Sequence, residues 1–279
     1  MKRRILLHIG SPKCGSTYLQ RALLQNRDRL AAHGIRYPHD GGEHPGNAAQ
    51  LADIDRTTLA RYFSDGARTV VLSHEDLYSM AARGDALSVL MREMGISVQI
   101  LAFLRPFSEF VYGDYSQFMK QYFEAFLAER IPYGGRDFET FAGRRISTLK
   151  PASYLRSWQQ RFPDRPVIVA GHLQIRKVMG QLLGTLLSET LDWTVHDHRA
   201  NRSLRMEDCD RIAAAMRDPA VADDTIREMF GTAFHHVDDP DAGRTRARTL
   251  WLEAQFAAQN EVLLKQFYFD NRHPEYRRR

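Results

Sequence analysis

Apolar and polar positions along this chain follow two periods. Four short runs are almost continuously apolar and rich in β-branched residues: Ile5-Leu6-Leu7, Thr69 to Ser73, Ser97 to Leu104 and Pro166 to Ala170. Runs of this length, bounded by turn residues, predict buried strands. Between them the apolar residues recur at helical spacing. A helix is expected from Ser16, with its apolar face carried through Tyr18-Leu19, Ala22-Leu23 and Leu30-Ala31 to a stop at Gly34. Ile35 to Pro38 reads as extended. Further helices are expected over 57–64, Ala86–Met94, Pro106–Arg130, Pro151–Phe162 and Leu173–Leu187, and after residue 190 near 206–216, 222–230 and 244–266. Alternating strands and helices predict an α/β fold, a three-layer α/β/α arrangement around a central parallel sheet. With no convincing linker, residues 1–279 read as one domain: an α/β core over about 1–190 and a helical C-terminal portion over about 191–279.

Ligands in such sheets bind at the carboxyl ends of the strands. Each strand end here carries polar residues: Gly10-Ser11-Pro12-Lys13, Ser73-His74-Glu75, Arg105, and Gly171-His172. The first end is the most informative. In ILLHIGSPKCGSTYLQ, residues 5–20, a strand runs through a tight glycine loop into a helix. That arrangement points unpaired N–H groups and the positive helix end at one spot, suited to a phosphate or sulfate group. Gly10 and Gly15 have the G-x-x-x-x-G spacing of a P-loop, but the Lys-Ser/Thr that should follow is replaced by Ser16-Thr17. The lysine is displaced to Lys13, behind Pro12. Arg105 ends the third apolar run, and its guanidinium fork suits a second phosphate. Most rings between Phe107 and Phe126 recur at helical spacing and read as core.

Composition narrows the picture. Hydrophobic residues make up 43% and charged residues 26% of the 279, ordinary values for a globular domain. A net charge of +5 suits an anionic nucleotide and is too weak to argue for nucleic acid. No apolar run approaches a membrane span, and too few apolar residues follow Met-Lys-Arg-Arg for a secretory signal, so a cytoplasmic location is expected. Cys14 and Cys209 make no disulfide framework; Cys14 reads as a small loop-filling residue. His33, His39 and His44 accompany a glycine-rich loop without zinc-ligand spacing, so no metal is expected and the loop is placed at the rim of a site.

HIGSPKCGSTYLQ resembles the 5′-phosphosulfate loop of sulfotransferases that use 3′-phosphoadenosine 5′-phosphosulfate (PAPS), in the form found in bacteria, usually close to P-K-[ST]-G-[ST]-[ST]-x-L. Cys14 takes the variable slot. The resemblance implies a P-loop-like fold and a donor site built from Gly10, Ser11, Pro12, Lys13, Cys14, Gly15, Ser16 and Thr17. In that site Lys13 stabilises the leaving phosphate, and Ser16 and Thr17 hold 5′-phosphate oxygens. Leu104 to Gln117 resembles the family's 3′-phosphate motif, with Arg105 as its arginine. The serine expected eight residues later is Gly113, leaving Ser116 as a substitute; Tyr115 and Gln117 fit the later Tyr-x-Gln pattern. Ser73-His74-Glu75 resembles the family's Ser-Ser-Glu, which implies Glu75 as the general base with His74 as the alternative. Burial is expected to raise the pKa of Glu75 towards neutrality. Asn201-Arg202-Ser203-Leu204 resembles a late Asn-x-Ser-Leu segment and reads as a helix cap, while His172, His196 and His198 are acceptor-side candidates.

The activity implied is transfer of a sulfuryl group from PAPS to a hydroxyl, less readily an amine, of a carbohydrate, lipid-linked or small-molecule acceptor, leaving 3′-phosphoadenosine 5′-phosphate. A P-loop nucleotide or small-molecule kinase is the alternative, with Asp76 available for magnesium. A nucleotide-binding protein without turnover is a third reading.

Overall fold

Five strands, β1 (Arg4–His8), β2 (Ile35–Arg36), β3 (Thr69–Ser73), β4 (Ser97–Leu104) and β5 (Ile168–Gly171), form one all-parallel sheet in the order β2-β3-β1-β4-β5. The structure is a computed structural model and describes residues 3–195 and 203–277. His196, His198, Asn201, Arg202, Arg278 and Arg279 lie outside the described residues. The strand nearest the N-terminus is the central one. Arg4 stands opposite Thr69 and Ser97, and His8 opposite Ser73 and Leu101. The β1–β4 ladder continues past β1 into the glycine loop. Ile9 N–H donates to Leu101 O, Ser11 N–H to Phe103 O, and Phe103 N–H to Gly10 O, all at 2.9–3.0 Å. The start of the loop is therefore fixed by the sheet.

The helices are α1 (Ser16–Gln25), α2 (Arg27–Ala32), α3 (Arg56–Tyr62), α4 (Asp85–Glu93), α5 (Phe107–Glu129), α6 (Phe138–Thr148), α7 (Pro151–Arg161), α8 (Ile175–Leu183), α9 (Thr185–Thr190), α10 (Met206–Arg217), α11 (Asp223–Ala233), α12 (Arg246–Gln255), α13 (Ala257–Phe267) and α14 (Pro274–Arg277). From β1 the chain moves one way along the sheet to β2, and from β3 it moves the other way to β4. Right-handed crossovers in opposite directions put their helices on opposite faces, which gives the three layers. On one face, Leu6, Val71, Leu101, Phe103 and Ala170 pack with Leu19 and Leu23 of α1, Leu30 of α2, and Ile175 and Met179 of α8. The alternate residues Ile5, Leu7, Val70, Leu72, Ile100 and Ala102 are equally buried and point the other way, as the period of two requires.

The chain divides into two compact units. One comprises Met1–Arg105, Lys150–His198 and Gln259–Asn271; the other comprises Pro106–Leu149, Arg199–Ala258 and Arg272–Arg279. The first contains the sheet. The second is helical and packs around the rings of α5, where Tyr115 stacks on Tyr133 at 3.9 Å and Phe123 on Phe230 at 3.8 Å. Most of those rings are core, as their spacing predicts, while Tyr122 is 40% exposed.

Four details depart from the sequence pattern. The helix expected near 244–266 is broken at Phe256 into α12 and α13. The helix expected from Ser16 through Ala31 is broken at Asn26, whose amide donates to Ala22 O and Asp192 O and accepts from Asp192 N–H. A side chain offering the backbone such alternatives ends a helix. The helix expected over Leu173–Leu187 is split by Gly184, at φ 114°. α6 has no counterpart in the expectations; Asp137 caps it by accepting from Thr140 N–H.

Candidate functional site

All the residues of this site belong to the unit that holds the sheet. The glycine loop leaves β1 with Gly10 at φ 103° and enters α1 through Gly15 at φ 86°. Both positive φ values favour glycine, and at Gly10 a backbone contact demands it as well. A Cβ on Gly10 would stand 2.8 Å from the Glu75 carbonyl oxygen, and one on Gly15 would stand 2.5 Å from Ile175 Cδ1. Gly10 thus lets the loop lie directly on the backbone of the segment after β3. Gly15 caps α1 without any side-chain hydrogen bond, so no side chain of the cap occupies the first amides of the helix. Lys13 is half-buried and holds a left-handed backbone, φ 60°, a conformation that costs a non-glycine residue free energy.

The hydroxyls and the thiol differ in availability. Ser16 Oγ donates to Ser11 O at 3.3 Å and is buried, whereas Thr17 is exposed. Cys14 is 1% exposed, with Sγ 3.8 Å from Ser11 Oγ. Burial pushes its thiol pKa up, against the opposing charge of the Arg105 guanidinium beside it. A thiol so placed is not activated, in keeping with a space-filling role. Arg105, one residue past β4, is half-buried, and its Nε is fully buried with no hydrogen-bond partner.

Around Glu75 the structure assembles a chain of side chains that sequence spacing does not bring together. Gln20 of α1, 0% exposed, donates from Nε2 to Glu75 Oε2 at 2.9 Å and to Ser73 Oγ at 3.2 Å. Ser73 Oγ lies 2.8 Å from Nδ1 of the buried His8. The other carboxylate oxygen, Oε1, meets His44 Nε2 at 3.3 Å. Asn47 holds the free edge of β3 beneath, accepting from Ser73 N–H and donating to Val71 O. His8, Gln20, His44 and Asn47 were not among the candidates. Gln20 carried a signal, being a polar residue beside Leu19 and Leu23 on the buried face of α1.

The expectation that burial raises the Glu75 pKa is not met. Burial is the largest single influence and acts upward, but the Gln20 N–H, a backbone N–H and the imidazoles of His44 and His74 together hold the carboxyl below its ordinary value. His8 moves the other way from its norm: burial depresses it to about 4, against the charge of Glu75, so its ring is neutral. Burial likewise lowers His74. His74 Nδ1 accepts from Asp76 N–H at 3.3 Å and its ring stacks on His44 at 4.9 Å. A neutral imidazole accepting at Nδ1 carries its proton on Nε2 and offers a donor there. By the same reasoning His44, whose Nδ1 accepts from Gly46 N–H at 3.0 Å, donates to Glu75. Of the two candidate bases, Glu75 alone presents acceptor oxygens.

Within the helical unit, the substitute proposed for the missing hydroxyl is engaged elsewhere. Ser116 is 0% exposed and its Oγ accepts from Leu204 N–H at 2.7 Å. Tyr115 is core, its hydroxyl donating to Asp210.

A cavity of about 720 Å³ lies at the β2 side of the sheet, lined by residues that include Tyr37, His39, Asn47, Asp53, Arg61 and Tyr62. None of residues 10–17 lines it. It shares Gly46 and Asn47 with the turn that brings His44 to Glu75. Among the described residues no group of three His, Cys, Asp or Glu is placed to hold a metal ion, and no helix is long and apolar enough to cross a membrane. No protein-family model, curated protein or solved structure matches this chain.

Proposed function

We propose that this protein is a PAPS-dependent sulfotransferase that uses Glu75 to activate an acceptor hydroxyl. The observation that carries the reading is the backbone contact at Gly10, which lays an uncapped, glycine-bounded anion loop against the segment bearing an ionised carboxylate. The residues fit an anionic donor. The open first amides of α1 and Lys13 suit the phosphosulfate end, and the buried, unpartnered Nε of Arg105 suits a further anionic oxygen. The donor supplies an electrophilic sulfuryl group.

Glu75 accepts the hydroxyl proton as the acceptor oxygen bonds to sulfur and the bond from sulfur to the phosphate oxygen breaks. Lys13 and the loop amides carry the charge that develops on the departing phosphate. The displaced lysine speaks against the kinase alternative. The Ser16 hydroxyl, donating to Ser11 O, is not free to donate to a 5′-phosphate oxygen, which leaves that role to Thr17. A cavity of mixed polar and apolar lining, in the size range of small-ligand sites, shares Gly46 and Asn47 with the turn that carries His44 and would suit a small acceptor.

The test is transfer of radiolabelled sulfate from PAPS to a panel of sugar and small-molecule alcohols, with wild type beside Lys13→Ala. The account expects transfer by wild type and a loss of about 100-fold or more in Lys13→Ala. Equal transfer by the two proteins would remove the loop from the mechanism.

A further inference from the structure

The last residue of the loop-helix stretch has no part in the donor site, yet it is completely buried and makes two hydrogen bonds with charge or strand-end partners. We infer that Gln20 is the positioning residue for the base, fixing the Glu75 carboxylate against the same helix whose first turn faces the donor. This rests on the reading of Glu75 as the base.

The geometry argues it in steps. Gln20 stands one helical turn after Ser16, on the same side of α1. Both hydrogens of its Nε2 are used, one on Glu75 Oε2 at 2.9 Å and one on Ser73 Oγ at 3.2 Å. The amide cannot be turned round, because Oε1 would then face a carboxylate. Ser73 Oγ, which accepts from Gln20, lies 2.8 Å from His8 Nδ1. Gln20 thereby joins Glu75 to Ser73 and, through Ser73, to His8 at the end of the central strand. Gln20 Oε1 remains buried without a partner. An apolar residue of equal length would fill the same space without placing N–H donors on Glu75 and Ser73.

The consequence is mechanical as well as electrostatic. Donor loop and base are both registered to α1, so the spacing between them does not depend on the 39–56 loop. That loop contributes the second partner, His44, through an exposed bond of 3.3 Å. The titratable groups facing Glu75 are His44 from the loop, His74 beside it, Tyr37 after β2 and His8 in β1.

The test replaces the two N–H donors while keeping the length of the side chain. Full-length wild type, Gln20→Met and Gln20→Glu are prepared with ¹³C-labelled glutamate, and the Glu75 carboxyl resonance, assigned with Glu75→Gln, is titrated by NMR. Circular dichroism establishes that each is folded. The Glu75 midpoint is expected to rise in Gln20→Met and to rise further in Gln20→Glu. An unchanged midpoint in both would overturn the proposal. In the transfer assay Gln20→Met should lose about tenfold or more in kcat and move the acid limb of the pH profile upward, with affinity for 3′-phosphoadenosine 5′-phosphate within about twofold of wild type. Transfer unchanged in kcat and pH profile would also overturn it. Should wild type transfer nothing while the midpoint rises as expected, the sulfuryl-transfer reading fails and the anchoring of Glu75 by Gln20 stands.

Discussion

Each unit of this protein holds a glutamate beside a serine, fully buried in one and half-buried in the other, and the two are held in opposite ways. In the helical unit Glu253 is 0% exposed and accepts from the N–H and Oγ of Ser108 and from His273 N–H. It closes the first turn of α5, and its oxygens are taken up by groups that cannot leave. In the sheet unit the side chain of Glu75 keeps 22% of its exposure, held from inside by Gln20 and from the rim by His44. A fully buried carboxylate held by backbone N–H groups and a buried hydroxyl serves the fold. One that is anchored on one side and open on the other can take a proton.

Exchanging the two residues for neutral or truncated forms should separate these roles. The largest effect is expected from Glu75→Gln, which should lower kcat/KM for transfer by about 10²–10⁴-fold with little change in the urea midpoint. Glu253→Ala should do the reverse in stability, costing about 3 kcal/mol or more, since hydrogen bonds to a charged group contribute roughly 1.5–3 kcal/mol each and Ser108 is left unsatisfied. Urea unfolding of the two variants side by side checks this; a Glu75 variant as unstable as the Glu253 variant would break the comparison.

Acid should act next. Glu75 is depressed in the folded protein, so its contribution to stability is present above the ordinary value of about 4.3 and is lost only as pH falls through the lower folded value. The acid limb of transfer belongs below that ordinary value. His8, depressed to about 4, is neutral when folded and protonates when unfolded. Its contribution is full above about 6.5 and is lost as pH falls to about 4, amounting to up to ~3 kcal/mol. His8→Phe should flatten the stability profile over that interval, and chemical denaturation from pH 7 to pH 4 reads it. The smallest effect is expected at His74→Ala, about tenfold or less in kcat, because its accepting nitrogen is already engaged by Asp76; a loss equal to that of Glu75→Gln would move the base to His74.

Four of the five strands were legible because each is a short apolar run ended by polar residues, whereas β2, only Ile35-Arg36, reads from sequence merely as extended. The loop was legible because glycine spacing and Lys13 are local signals. Helix ends were less so. The break at Asn26 depends on Asp192, 166 residues away, which no local pattern contains. α6 was hidden by a sequence, Phe138-Glu-Thr-Phe-Ala-Gly-Arg-Arg, whose apolar stripe is short and interrupted by Gly143. The site was half visible: Lys13, Arg105, His74 and Glu75 stand at strand ends, where chemistry is expected. The partners of Glu75 were not, because Gln20 and His44 reach it across 55 and 31 residues of sequence. The direction of the Glu75 pKa followed from those partners and could not be reasoned from burial alone.

The central claim is that the α1 loop binds the two-ended anion of a sulfuryl donor. Calorimetric titration with 3′-phosphoadenosine 5′-phosphate, set against ATP with and without magnesium, tests it most directly. The account predicts tight binding of the bisphosphate that is independent of metal and is lost in Lys13→Ala. Binding of ATP alone, and only with magnesium, would contradict it and assign the loop to a kinase.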